Sequence, residues 1–72
     1  MVNMVLLPLM RRKRMVQRFL RAGAVDREHA VRPRDIRVNQ ALIFSRLLTK
    51  GIVVAAEDGR YYVDQGKVLE RF

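Results

Sequence analysis

Arg11, Arg14, Arg18 and Arg21 recur at a spacing of three, four and three, and are the side chains of this sequence best suited to bind a ligand. At about 100° per residue they share one side of a helix, with Met15, Val16, Phe19 and Leu20 on the other side. A guanidinium is a planar fork of donors that matches phosphate oxygens two at a time. Arg12 and Lys13 extend the stripe into the run Arg11-Arg12-Lys13-Arg14, which suits a phosphate backbone or the anionic head groups of a membrane surface. A solvated helix face would carry the same residues. No other group of residues offers comparable chemistry. The chain has no cysteine and a single histidine, His29, so thiolate zinc and iron–sulfur sites and multi-histidine metal sets are excluded. Asp26, Asp35, Asp58 and Asp64 fall where caps and turns use a carboxylate, and no nucleophile–base pair or phosphate-cradling glycine loop accompanies them. The expectation is a non-enzymatic protein with no cofactor, metal or small-molecule ligand.

The elements that must position the arginines are few. Seventy-two residues carrying 15 Lys+Arg and 7 Asp+Glu allow one domain with a formal net charge of +8. The thin core of so short a chain supports a stability of roughly 4 to 10 kcal/mol. Residues 1–37 contain ten basic and three acidic side chains, hence +7, and residues 38–72 five and four, hence +1. Such a balance points to a polyanionic partner, and the footprint belongs to the N-terminal half.

Residues 1–10 are almost wholly apolar and show no stripe, so they are expected to be covered from several directions, as an ordered extension packed on the domain or on a second copy in a homodimer, or as part of a membrane anchor. They are too short to span a bilayer and lack the flanks of a secretory signal, so a cytoplasmic location is expected, with the cytoplasmic face of a membrane as the alternative. The domain proper is assigned to residues 11–72.

Within it, a first helix is predicted from about Pro8 or Arg11 to Ala22, with Gly23 past its end. Asp26 caps a short turn through Glu28, His29 and Ala30, and Pro33 opens another to Arg37, with Ala30, Ile36 and Val38 facing inward. Asn39 is read as the N-cap of a helix from Gln40 to Lys50, closed by Gly51, with Ala41, Phe44, Leu47 and Leu48 on its core face. Asp58-Gly59 is a type I′ hairpin turn between Ile52–Ala56 and Arg60–Asp64. That turn pairs Glu57 with Arg60, Ala56 with Tyr61, Val54 with Val63 and Val53 with Asp64, and leaves Tyr62 outside over Ala55. Residues Gln65 to Phe72 form one or two helical turns that return Val68, Leu69 and Phe72 to the core.

A leucine-rich helix ending in Leu47-Leu48-Thr49-Lys50-Gly51, then Ile52-Val53-Val54, then Asp58-Gly59-Arg60-Tyr61-Tyr62-Val63-Asp64, resembles the winged helix-turn-helix family over residues 11–70. The resemblance implies an α+β fold of three helical segments, a two-stranded antiparallel β-hairpin wing and a short C-terminal helical turn. It also implies a DNA-binding, transcription-related role, in which Asn39, Gln40, Ile43, Arg46, Thr49 and Lys50 face DNA from the recognition helix and Arg60 from the wing. Charge departs from that pattern: the helix offers only Arg46 and Lys50, and the basic stripe lies on helix one. Two functions follow. One is a DNA-binding module whose affinity comes mostly from Arg11, Arg12, Lys13, Arg14, Arg18 and Arg21. The other is a protein-interaction module held at the cytoplasmic membrane surface by its apolar and basic N-terminus, with Leu42, Ile43 and Tyr62 meeting a protein.

Overall fold

α1 runs Leu6–Arg21 in the computed structural model, which describes residues 6–71. It begins ahead of Pro8, because the first turn of a helix has no intrahelical partner for its N–H groups and a proline there loses nothing. Met15, Val16 and Phe19 are buried and Leu20 packs half-buried beside them, as the periodicity requires. α1 ends at Gly23, whose φ of 75° is open to glycine at low cost. The N–H groups of Gly23 and Ala24 donate to the carbonyls of Leu20 and Phe19, closing the helix with the pair of hydrogen bonds typical of a left-handed terminus.

Two 3₁₀ turns follow, Arg27–His29 and Pro33–Ile36. Asp26 caps the first by accepting from the His29 N–H at 2.9 Å, and Pro33 opens the second. Ala30 and Val38 are buried and Ile36 packs against the core.

α2 spans Ala41–Thr49 and differs from expectation at its start. Gln40, not Asn39, occupies the N-cap position, and its side chain makes no capping bond. The buried face is also turned toward Ile43: Ile43, Phe44 and Leu48 are half-buried, Leu47 is fully buried, and Ala41 is exposed. The larger Ile43 side chain removes more apolar area from water than Ala41 would, so the helix settles with Ile43 inward. α2 closes as α1 does, with Gly51 at φ 76° and bonds from Gly51 and Ile52 to Leu48 and Leu47. A Cβ on Gly51 would meet only the end of the Lys67 side chain at 4.0 Å, so Gly51→Ala tests backbone strain without a clash. It is expected to lower stability by about 1 kcal/mol, read as a reduced urea midpoint with unchanged slope.

The hairpin pairs β1, Val53–Ala55, with β2, Tyr61–Val63, in antiparallel register. Asp58 and Gly59 both have positive φ, 58° and 71°, as a type I′ turn demands. The pairing beyond the turn is nevertheless offset by one residue from the predicted register: Val53 faces Val63, Val54 faces Tyr62 and Ala55 faces Tyr61. A bulge causes the slip. Arg60 N–H donates to Glu57 at 3.1 Å while Ala56 N–H donates to the Arg60 carbonyl at 2.8 Å, so two residues oppose one. The offset puts Val53 and Val63, at 1% and 0% exposure, opposite each other in the core. Tyr62, expected outside over Ala55, is half-buried instead and lies under the Arg27 guanidinium at 6.0 Å from the ring centroid. β2 is also bonded along its other edge, by Val31 to Tyr61 and by Ala24 to Val63, which leaves less open edge to pair with another chain.

α3, Gln65–Arg71, is capped by Asp64, whose Oδ1 accepts from Gly66 and Lys67. Val68 packs on the core, but Leu69 is 84% exposed, contrary to its expected return inward; Phe72 lies outside the described residues. Together the three helices, two 3₁₀ turns and hairpin make a small α+β domain. Its core is joined across elements by Phe44, stacked near Phe19 of α1 at 6.4 Å and edge-on to Tyr61 of β2 at 4.9 Å. Among the described residues, no helix is long and apolar enough to cross a membrane. The expected dimer or anchor role of residues 1–10 falls on side chains outside the described residues.

Candidate nucleic-acid interface

The buried face of α1 fixes where its arginines point. With Met15, Val16 and Phe19 turned into the core, Arg11, Arg14 and Arg18 line one flank of the helix, and that flank borders the start of α2. Between them lies a cleft of about 150 Å³, walled by Arg11, Arg14 and Arg18 on one side and by Arg37, Asn39 and Gln40 on the other. Met15 and Val38 contribute its apolar lining. None of the described residues lining it is acidic.

Two features hold the cleft in shape. The Arg18 side chain donates through Nη1 to the Arg37 carbonyl, tying α1 to the segment that leads into α2. Arg37 itself has φ 60° and ψ 35°, a left-handed conformation unusual for a residue with a Cβ, and its N–H bonds back to the Pro33–Ile36 turn.

Folding thus brings together five of the residues expected to bind nucleic acid: Arg11, Arg14, Arg18, Asn39 and Gln40. The others lie apart from the cleft. Arg12 is half-buried, Lys13 is exposed but does not line the cleft, and Arg21 is exposed in the last turn of α1, where a cation favours the helix dipole. Ile43 packs on the core, which corrects its placement toward DNA. Arg46, Thr49 and Lys50 are exposed on α2, although the Thr49 hydroxyl donates to the Ser45 carbonyl at 3.0 Å. Arg60 is exposed at the hairpin tip, and its expected partner Glu57 binds Arg27 instead, at 3.0 Å, because the bulge directs Glu57 toward the first 3₁₀ turn. That pair is solvent-exposed and contributes little to stability.

Arg37 was the residue that sequence reasoning missed. Its type does not mark a left-handed position, and only the fold brings it opposite Arg14 and Arg18. Leu42, 68% exposed, shares the outer face of α2 with Ser45, Arg46 and Thr49.

His29 takes no part in the cleft. Its Nδ1 lies 2.7 Å from the Asp26 carboxylate, and this hydrogen bond raises the imidazole above its ordinary 6.5 and lowers the Asp26 carboxyl below 3.8. The His29 contribution to stability is therefore complete below pH 6.5 and fades as pH rises through its raised folded value; that of Asp26 is present above 3.8 and fades as pH falls through its lowered one. A ring-proton NMR titration is expected to give a His29 midpoint above 6.5 in the native chain and one nearer 6.5 in Asp26→Asn, which retains a capping oxygen but no charge. Equal midpoints in the two proteins would show the contact to be absent in solution.

Comparison of the chain with protein-family models, with curated proteins and with solved structures finds no match. Any functional reading therefore starts from the cleft and from the order of the elements.

Proposed function

We propose that this chain is a small winged helix-turn-helix module that binds duplex DNA, with the arginine cleft as its principal phosphate-contacting surface and α2 as its base-facing helix. The order of helices and hairpin accords with that fold. The observation that carries the reading is the position of the α1 arginines. In the sequence the positive charge lies far from the segment expected to enter the groove. In the folded chain Arg11, Arg14 and Arg18 border Asn39 and Gln40, at the leading end of α2. A helix that enters a major groove brings its N-terminal end toward the bases while neighbouring cations meet the backbone. The outer face of α2 then presents Arg46 and Thr49 as polar contacts and Leu42 as an apolar surface for a thymine methyl.

The test is the salt dependence of binding. Each phosphate neutralised releases about 0.9 of a counterion from B-DNA, so engagement of four arginines gives a slope of about −3.6 in log K against log salt. Fluorescence anisotropy with a mixed-sequence duplex is expected to show affinity falling about 150-fold between 50 and 200 mM salt. Affinity that is flat over this range, or no binding at the low-salt end, would refute the reading.

A further inference from the structure

We propose that the cleft is a discrete seat for a single phosphate group and not merely part of a diffuse basic surface; this deepens the nucleic-acid reading and rests on it for the source of that phosphate. Four arginines, Arg11, Arg14, Arg18 and Arg37, line one small cleft with no acidic residue among the described residues lining it. None of the four has a carboxylate within ion-pair distance among the described residues. Like charges gathered this way repel, and an anion seated between them relieves the repulsion while accepting charge-assisted hydrogen bonds.

The size fits the group. At about 150 Å³ the cleft is large enough to admit a phosphate with some water. Its lining is favourable too: Met15 and Val38, 4% and 8% exposed, exclude water from one side and so strengthen the electrostatic attraction.

The conformation of Arg37 is the second, independent observation. A left-handed backbone costs an L-residue free energy that glycine would not incur. This chain has glycine at φ 75° and 76° after its two longer helices, yet arginine at φ 60° here. The Arg37 N–H is committed to the 3₁₀ turn and its carbonyl to Arg18, so the backbone direction is fixed with Arg37 in the cleft wall.

The experiment titrates the ¹⁵N-labelled full chain with inorganic phosphate, against sodium chloride at matched ionic strength. Saturable amide shifts are expected at Arg37, Asn39 and Gln40, with half-saturation at or below about 5 mM. Arg37→Gly is expected to weaken half-saturation at least fivefold while leaving the urea midpoint equal or higher, since glycine relieves the backbone. Arg18→Gln provides a second variant and is expected to weaken phosphate to a similar degree. Shifts that grow without saturating over all basic residues, or Arg37→Gly with phosphate affinity unchanged, would overturn the seat.

A parallel titration with duplex DNA separates the two readings. Duplex that binds and is displaced by phosphate supports a backbone phosphodiester as the occupant. Saturable phosphate with no duplex binding supports the seat, with a free phosphate compound as its source, and removes the DNA reading. Duplex binding without saturable phosphate binding overturns the seat and leaves the DNA reading in place.

Discussion

Phe19→Ala is expected to remove about 3 to 5 kcal/mol of stability, the usual result of truncating a fully buried aromatic side chain. Phe19 has 0% exposure and lies where α1, α2 and the hairpin meet, stacked near Phe44, which in turn packs edge-on to Tyr61. A domain of 72 residues holds about 4 to 10 kcal/mol in total, so this one change removes between about a third and the whole of it. Urea denaturation followed by far-UV circular dichroism should show a large fall in midpoint, or a chain already partly unfolded without denaturant. Leu42→Ala is the matched control. Leu42 is 68% exposed, and its truncation should change stability by less than about 0.5 kcal/mol. If Phe19→Ala unfolded at the native midpoint, the packing of α1 on α2 and the hairpin would be wrong.

The same residues show what the sequence made legible. The apolar periodicity of Met15, Val16 and Phe19, the glycines after α1 and α2, the Asp26 cap, Pro33 and the Asp58-Gly59 turn all act locally, and each appears where its chemistry predicts. The errors arise where local rules compete with packing. Asn39 is a better capping residue than Gln40, but the helix starts one residue later and Asn39 lines the cleft. Asp58-Gly59 specifies the turn, but the bulge at Ala56 and Glu57 shifts every pair beyond it, so that Val53 faces Val63 and not Asp64. Periodicity places Ala41 on the α2 core face and Ile43 outside it, and packing reverses the two, because the larger Ile43 side chain gains more from burial. The arginine stripe of α1 was evident from spacing alone. Its neighbours were not, since Arg37 and Asn39 approach it only through tertiary contact.

Replacing Arg11, Arg14 and Arg18 together with glutamine is expected to lower affinity for duplex DNA by about 10²- to 10³-fold at 0.1 M salt, because each lost phosphate contact forfeits close to tenfold there. The salt slope should become shallower by about 2.7, three contacts at about 0.9 each. Glutamine preserves helix propensity, and all three side chains are exposed, so the urea midpoint should change little. Lys13→Gln separates site from net charge. Lys13 belongs to the same basic run but does not line the cleft, and its loss should weaken binding less than about threefold. Equal effects of Lys13→Gln and Arg14→Gln would mean that binding responds to overall charge and that the cleft has no special part in it.

The central claim is that α1 and the start of α2 form one nucleic-acid surface, and chemical-shift mapping with a mixed-sequence DNA duplex tests it most directly. The predicted result is a set of perturbations centred on Arg11, Arg14 and Arg18 and on Arg37 to Leu42, extending along α2 to Arg46 and Thr49, with α3 unaffected. Perturbations confined to the hairpin or α3, with the cleft silent, would contradict the claim, as would a spectrum that the duplex leaves unchanged.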